Sequence, residues 1–141
     1  MRKILITGGA GFIGSNLCEY FLEKGDIVVC LDNFATGYIE NILSLIERFP
    51  NRFKLVVGDI RNLEDCRKAV DGVEYVLHEA ALGSVPRSVK DPITSNDVNV
   101  NGFLNMLVAS IVYVSFLCYF KAKEKENIFI IIIKYLGGGI L

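Results

Sequence analysis

The residues of this chain with the clearest chemistry to perform are glycines. Ile4, Leu5 and Ile6 lead into Thr7-Gly8-Gly9-Ala10-Gly11-Phe12-Ile13-Gly14, in which Gly9, Gly11 and Gly14 fit G-x-G-x-x-G and Gly8, Gly11 and Gly14 fit G-x-x-G-x-x-G. A strand that turns sharply into a helix at such a sequence points main-chain N–H groups and the positive end of the helix dipole at one spot. That spot suits a pyrophosphate. The first glycine permits the turn, the middle one lets the phosphates approach, and the third lets helix and strand pack closely.

Asp32 stands downstream at the roughly 20-residue separation expected of a carboxylate that accepts a ribose 2′-hydroxyl. A 2′-phosphate would meet a like charge there, and Asn33-Phe34-Ala35-Thr36-Gly37 supplies no arginine to offset it. The expected cofactor is therefore NAD rather than NADP.

These groups need a scaffold that brings strand ends together. Apolar, β-branched runs predict strands at Lys3 to Thr7, Ile27 to Leu31, Phe53 to Val57 and Tyr75 to Glu79. Helical periodicity predicts helices at Phe12 to Lys24, Ile39 to Phe49 and Leu63 to Val70, with a fourth running from about Ile93 towards Lys123. Alternating strand and helix implies an α/β, Rossmann-like doubly wound parallel sheet, here truncated after about four to five strands. Strand order 3-2-1-4 would set Thr7, Asp32, Asp59 and Ala80 around one crevice.

At 141 residues the chain has room for one core, against about 100 to 200 residues per domain. A net charge of −1 gives no basic field for nucleic acid. Cys18, Cys30, Cys66 and Cys118 form no C-x-x-C, which reads as reduced, structural thiols in a cytoplasmic protein. The N-terminus enters the first strand by Lys3, so no signal peptide is expected. His78, the only histidine, sits among Leu77 and Ala80 without a second metal ligand or a nucleophile at useful spacing. It reads as a core histidine, and neither a metal site nor a catalytic residue is assigned.

Thr7 to Ser15, Leu31-Asp32-Asn33, Gly58-Asp59-Ile60-Arg61, His78-Glu79-Ala80-Ala81 and Asn99-Val100-Asn101-Gly102 occur in the order and spacing of the extended short-chain dehydrogenase/reductases. Over Met1 to Ser110 the chain resembles the NAD-dependent epimerase/dehydratase family. Its Ala81-Leu82-Gly83-Ser84-Val85-Pro86-Arg87-Ser88 loop resembles the UDP-N-acetylglucosamine 4-epimerase branch. The resemblance implies that Gly8, Gly11, Phe12, Ile13 and Gly14 hold the cofactor's phosphates, and that Asp32, Asn33, Phe34, Thr36 and Gly37 hold the adenosine ribose. Asp59 and Ile60 would meet the adenine, Ala80 and Ala81 the nicotinamide half, and Asn99 a structural water. Gly83 and Ser84 would touch the hexose of a UDP-sugar, with Arg87 either orienting its diphosphate or simply solvated.

The family's base is a tyrosine with a lysine four residues later, assisted by a serine or threonine. Tyr119-Phe120-Lys121-Ala122-Lys123 fits that spacing, but it precedes any fifth strand and is assigned no catalytic role. From Ile111 the composition turns uniformly apolar, as if translated past a frameshift, and residues 111–141 read as a divergent tail after an incomplete NAD-binding domain at 1–110. No substrate domain is recognised, and the family's homodimer is not expected. Residues 102–120 approach bilayer-spanning length, though Asn101 and Asn105 match a soluble helix of the family. Asn127 to Tyr135 predicts a buried strand beside the fourth. The function expected is that of the NAD-binding part of a nucleotide-sugar 4-epimerase, inactive on its own. Alternatives are a related dehydratase, decarboxylase or epimerase, or a non-catalytic or membrane-attached cofactor-binding module.

Overall fold

A computed structural model describes residues 1–123. The strands are β1 (Lys3–Thr7), β2 (Ile27–Asp32), β3 (Phe53–Val57) and β4 (Tyr75–His78). All pair in parallel in the order β3-β2-β1-β4, as the alternation predicts. Register places Thr7 beside Leu31 and His78, and Asp32 beside Val57, so the four carboxyl ends finish at one rim.

Both faces of the sheet are covered, which is why its inner strands are continuously apolar rather than alternating. Ile4, Ile6, Val28 and Cys30 pack on one side against Cys18 and Leu22 of helix α1 (Phe12–Glu23) and Leu45 of α2 (Leu43–Arg48). Leu5, Val29 and Leu31 pack on the other against Cys66, Ala69 and Val70 of α3 (Leu63–Val70) and Met106 and Ala109 of α6 (Phe103–Lys123). β1 and β2 send chain to one face and β3 to the other, so the connection reverses beside β1. That reversal opens the crevice in which α/β sheets bind ligands.

Several boundaries differ from expectation. β2 runs one residue further, to Asp32, and β4 stops at His78 because the chain bends towards the crevice at Glu79. The expected helix Ile39 to Phe49 divides into a 3-10 turn (Ile39–Asn41) and α2, with Ile42 turned fully into the core between them. Before Ile93 the structure adds α4 (Val85–Lys90), capped by the Ser84 hydroxyl, with proline in its first turn. The expected single fourth helix is α5 (Pro92–Asn96), a π-helical turn (Asp97–Gly102) and then α6. Asp91 caps α5 by accepting the Thr94 N–H at 3.1 Å, and Pro92 can only begin a helix there. The strand expected at Asn127 to Tyr135 lies outside the described residues. Among the described residues no helix is long and apolar enough to cross a membrane.

One buried charge anchors the sheet's amino end. Asp26, 4% exposed, accepts the main-chain N–H of Arg2 at 3.0 Å and its guanidinium at 2.5 Å and 3.2 Å. The guanidinium holds the Asp26 carboxyl down at about 2. Because the unfolded chain titrates near about 3.9, this pair stabilises the fold fully above that pH and loses its contribution as pH falls towards 2. Arg2→Met should therefore shift the acid-unfolding midpoint, followed by circular dichroism from pH 7 down to 2, to higher pH. An unchanged midpoint would contradict the assignment.

Candidate functional site

The turn between β1 and α1 is built by close approach. Gly8 has φ +66°, and a Cβ there would stand 2.8 Å from the Ala80 main-chain nitrogen. A Cβ on Gly14 would stand 2.2 Å from the Gly8 carbonyl oxygen, so only glycine lets the first turn of α1 rest on the end of β1. Gly11 is the N-cap of α1, with no side-chain cap and no acid in the first turn. The helix thus begins with main-chain donors that no capping side chain serves, the arrangement that attracts an anion.

Asp32 ends β2 with 8% exposure and is committed on both oxygens. One accepts the Ala10 N–H at 2.9 Å and the other the Phe34 N–H at 2.8 Å. The carboxylate therefore ties the glycine turn to the β2 loop and still lines the crevice. Phe34 is left-handed, φ 57°, and its ring packs on the core instead of the crevice wall. Next to it the Asn33 amide donates to Asp59 Oδ2 at 2.9 Å, and Arg61 grips the same carboxylate at 2.7–3.2 Å. Arg61 holds the Asp59 carboxyl at about 2, so it is fully ionised at neutral pH.

These loops wall a crevice of about 390 Å³. Of the residues expected at a cofactor, Gly8, Gly11, Phe12, Ile13, Gly14, Asp32, Asn33, Thr36, Gly37, Asp59, Ile60, Ala80 and Ala81 line it. Phe12 and Ile13 are 84% and 59% exposed, large apolar side chains left open at the mouth. Phe34, Asn99, Gly83, Ser84 and Arg87 are not on its wall. Asn99 instead accepts the Leu82 N–H at 2.8 Å and donates to the Leu82 carbonyl at 3.1 Å, clamping the loop after β4. The Ser84 hydroxyl caps α4, and Arg87 is solvent-exposed on that helix. Ala35, Gly58, Arg61, Glu79, Leu82, Thr94 and Val98 complete the wall without having been expected there. Ala35, Gly58, Arg61, Glu79 and Leu82 each adjoin an expected residue, so the strand-end rule carried one position further would have found them. Thr94 and Val98 carry no such signal, because the helical break that brings them in was not foreseen.

His78 behaves as a core residue. Its Nδ1 lies 2.8 Å from the fully buried Thr7 hydroxyl, which also accepts the Ala80 N–H at 3.2 Å. The hydroxyl proton then points at Nδ1, placing the imidazole hydrogen on Nε2. Burial holds the imidazole pKa below its usual value.

Residues 5–120 match the family model described as GDP-mannose 4,6 dehydratase. A UDP-glucose 4-epimerase from Klebsiella pneumoniae is 38% identical over 110 residues, 76% of this chain and 78% of the relative. One from Neisseria meningitidis serogroup B is 40% identical over 107 residues, 74% of this chain but 31% of the relative. The solved Thermus thermophilus UDP-glucose 4-epimerase, in complex with NAD, superposes with a TM-score of 0.69 at 39% identity, covering 79% of this chain and 34% of that one. This chain thus spans about a third of the Neisseria and Thermus proteins. These relatives are named for UDP-glucose, so the narrower likeness of the Ala81 to Ser88 loop to the N-acetylglucosamine branch is not what they share with the chain.

The packing at Gly14 has a direct consequence for stability. Gly14→Ala forces a methyl group against a main-chain oxygen with no flexible side chain to yield, and overpacking of this kind typically costs about 1–3 kcal/mol. Urea unfolding should show a midpoint lowered by that amount with an unchanged slope. A variant as stable as the parent would show that the turn is looser than its geometry.

Proposed function

Because the chain belongs to the NAD-dependent epimerase/dehydratase family of short-chain dehydrogenase/reductases, we propose that its crevice holds NAD and serves the chemistry of a nucleotide sugar. The observation that carries this reading is the uncapped start of α1, framed by Gly8, Gly11 and Gly14, in one crevice with the Asp32 carboxylate. The glycine turn and the main chain of Phe12 and Ile13 receive the pyrophosphate. Asp32 keeps lone pairs for a ribose hydroxyl beyond the two N–H groups it already accepts, and Asn33, Thr36 and Gly37 border the same ribose. Phe34 contributes through its backbone rather than its ring. Asp59 and Ile60 flank the adenine, and Ala80 and Ala81, with no bulk beyond Cβ, admit the nicotinamide.

When bound, NAD supplies reversible hydride acceptance from a sugar alcohol. The sugar would enter past the loop after β4, where Gly83, Ser84 and Arg87 lie outside the crevice wall. The likeness of that loop supports a UDP-N-acetylhexosamine as substrate, whereas the relatives' names support UDP-glucose. Either sugar requires a base. Among the described residues the crevice wall has no tyrosine, lysine or serine, and Tyr119 and Lys123 belong to the closing turns of α6. As this polypeptide the protein is a cofactor-binding unit without turnover.

Titration calorimetry tests the cofactor reading. A 2′-phosphate would abut the buried Asp32 carboxylate, so NAD should bind roughly tenfold or more tightly than NADP. Equal affinity, or preference for NADP, would overturn it. Gly11→Val should abolish binding while leaving the circular dichroism spectrum intact, since Gly11 has φ −77° and a Cβ there meets only the Gly8 oxygen at 3.2 Å. Incubation with NAD and either UDP-glucose or UDP-N-acetylglucosamine should yield no galacto epimer. Epimer formation lost on Tyr119→Phe would show that the tail supplies the base after all.

A further inference from the structure

Arg61 is the one cation on the crevice wall, and its side chain is spent on a single neighbour. Its Nε lies 3.1 Å and 3.2 Å from the two oxygens of Asp59, its Nη2 lies 2.7 Å from Oδ2, and its own main-chain N–H donates to Oδ1 at 2.9 Å. Asn33, from the loop after β2, donates to Oδ2 at 2.9 Å. The Asp59 N–H is itself held, at 3.1 Å, by Asp65 of α3.

The opposite end of Arg61 is fixed as well. Asn105 of α6 donates to the carbonyls of Ile60 and Arg61 at 3.0 Å and 2.9 Å, and Asp97 of the π-helical turn lies 3.8 Å from Nη1. Asp59 therefore has neither rotational freedom nor a proton. It keeps 24% of its side-chain surface open and lines the crevice. A group in this state can accept hydrogen bonds and cannot donate them.

We infer that Arg61 is a specificity-determining positioning residue, which locks Asp59 as an acceptor at the base end of the crevice and so selects a purine with an amino group at C6 over one with an oxo group. The inference rests on the reading that the crevice holds NAD with its adenine at Asp59. The physical contrast is between a donor meeting a carboxylate and a carbonyl oxygen meeting it. In the second case two acceptors face each other and the buried charge loses a partner. Arg61 acts through Asp59, because its own fork is consumed by the carboxylate. Without it, one amide from Asn33 remains, and the carboxylate is free to turn out of the crevice.

The experiment compares NAD with nicotinamide hypoxanthine dinucleotide, which differs from NAD only at purine C6, by calorimetry on the full chain. The parent should favour NAD by about 10- to 100-fold, the range of a charge-assisted hydrogen bond. Arg61→Met should reduce that ratio by roughly fivefold or more, with most of the loss in NAD affinity. Asp59→Asn, whose amide can rotate to donate, should bring the ratio near one or invert it. If Arg61→Met weakens both dinucleotides by the same factor, or leaves the ratio unchanged, Arg61 only braces the loop and the inference is overturned. If Arg61→Met does not fold by circular dichroism, Arg61→Lys replaces it; one ammonium cannot grip both oxygens, so the ratio should fall by roughly threefold or more. An unchanged ratio there overturns the inference equally. A parent that binds both dinucleotides alike overturns it while the cofactor reading stands, and a parent that binds neither overturns the cofactor reading itself.

Discussion

At the β1–α1 turn, three segments of main chain come within contact of one another with no side chain between them. A Cβ on Gly14 would stand 2.2 Å from the Gly8 oxygen, and one on Gly8 would stand 2.8 Å from the Ala80 nitrogen. This closeness sets the start of α1 directly over the end of β1 and draws the chain after β4 alongside. A side chain at either position would lift the helix and separate the loops that form the crevice. The crevice depends on that absence of bulk more than on any side-chain interaction within it.

The polar groups at the rim divide the labour consistently. Donors near α1 come from the main chain, which is fixed in place and carries only partial charge. Formal charge sits farther along the sheet edge, where Asp32 bridges Ala10 and Phe34 and Asp59 is neutralised by Arg61. An anion is thus met by oriented amides, while hydroxyl and amine groups are met by carboxylates whose geometry is already paid for by the fold. Asp32 is structural and available for recognition at once, because an ionised carboxylate has about four acceptor sites and the backbone takes two.

Much of this was legible before any coordinates. The glycine spacing, the apolar strands and Asp32 at a strand end follow from period and position, and these yield strand order, crevice and most of its wall. What escaped has local causes. α4 has six residues, too few for periodicity to register, although Ser84 and Pro86 carry its cap signature. Ile42, an apolar residue within a helical pattern, is pulled into the core and breaks that pattern in two. Asn99 was read for a water and instead holds Leu82 by two hydrogen bonds, because which main chain lies opposite an asparagine is a tertiary fact that no sequence window contains.

The π-helical turn gives the largest of these departures a physical account. An asparagine on either side of Gly102 serves a different loop: Asn99 takes the chain after β4, and Asn105 takes the carbonyls of Ile60 and Arg61 after β3. In an uninterrupted α-helix, residues six apart would point about 240° apart, and each extra residue accommodated by a π turn reduces the angle gained per residue. Gly102 lies between them against Ile60, where a Cβ would meet the Ile60 side chain at 2.6 Å, so the helix can approach the β3 loop closely. Further along, Met106 and Ala109 pack into the core on α3. One continuous segment thus changes from clamp to buttress within three turns. The widened turn lets its clamping asparagines and its buried apolar face serve the same side of the sheet.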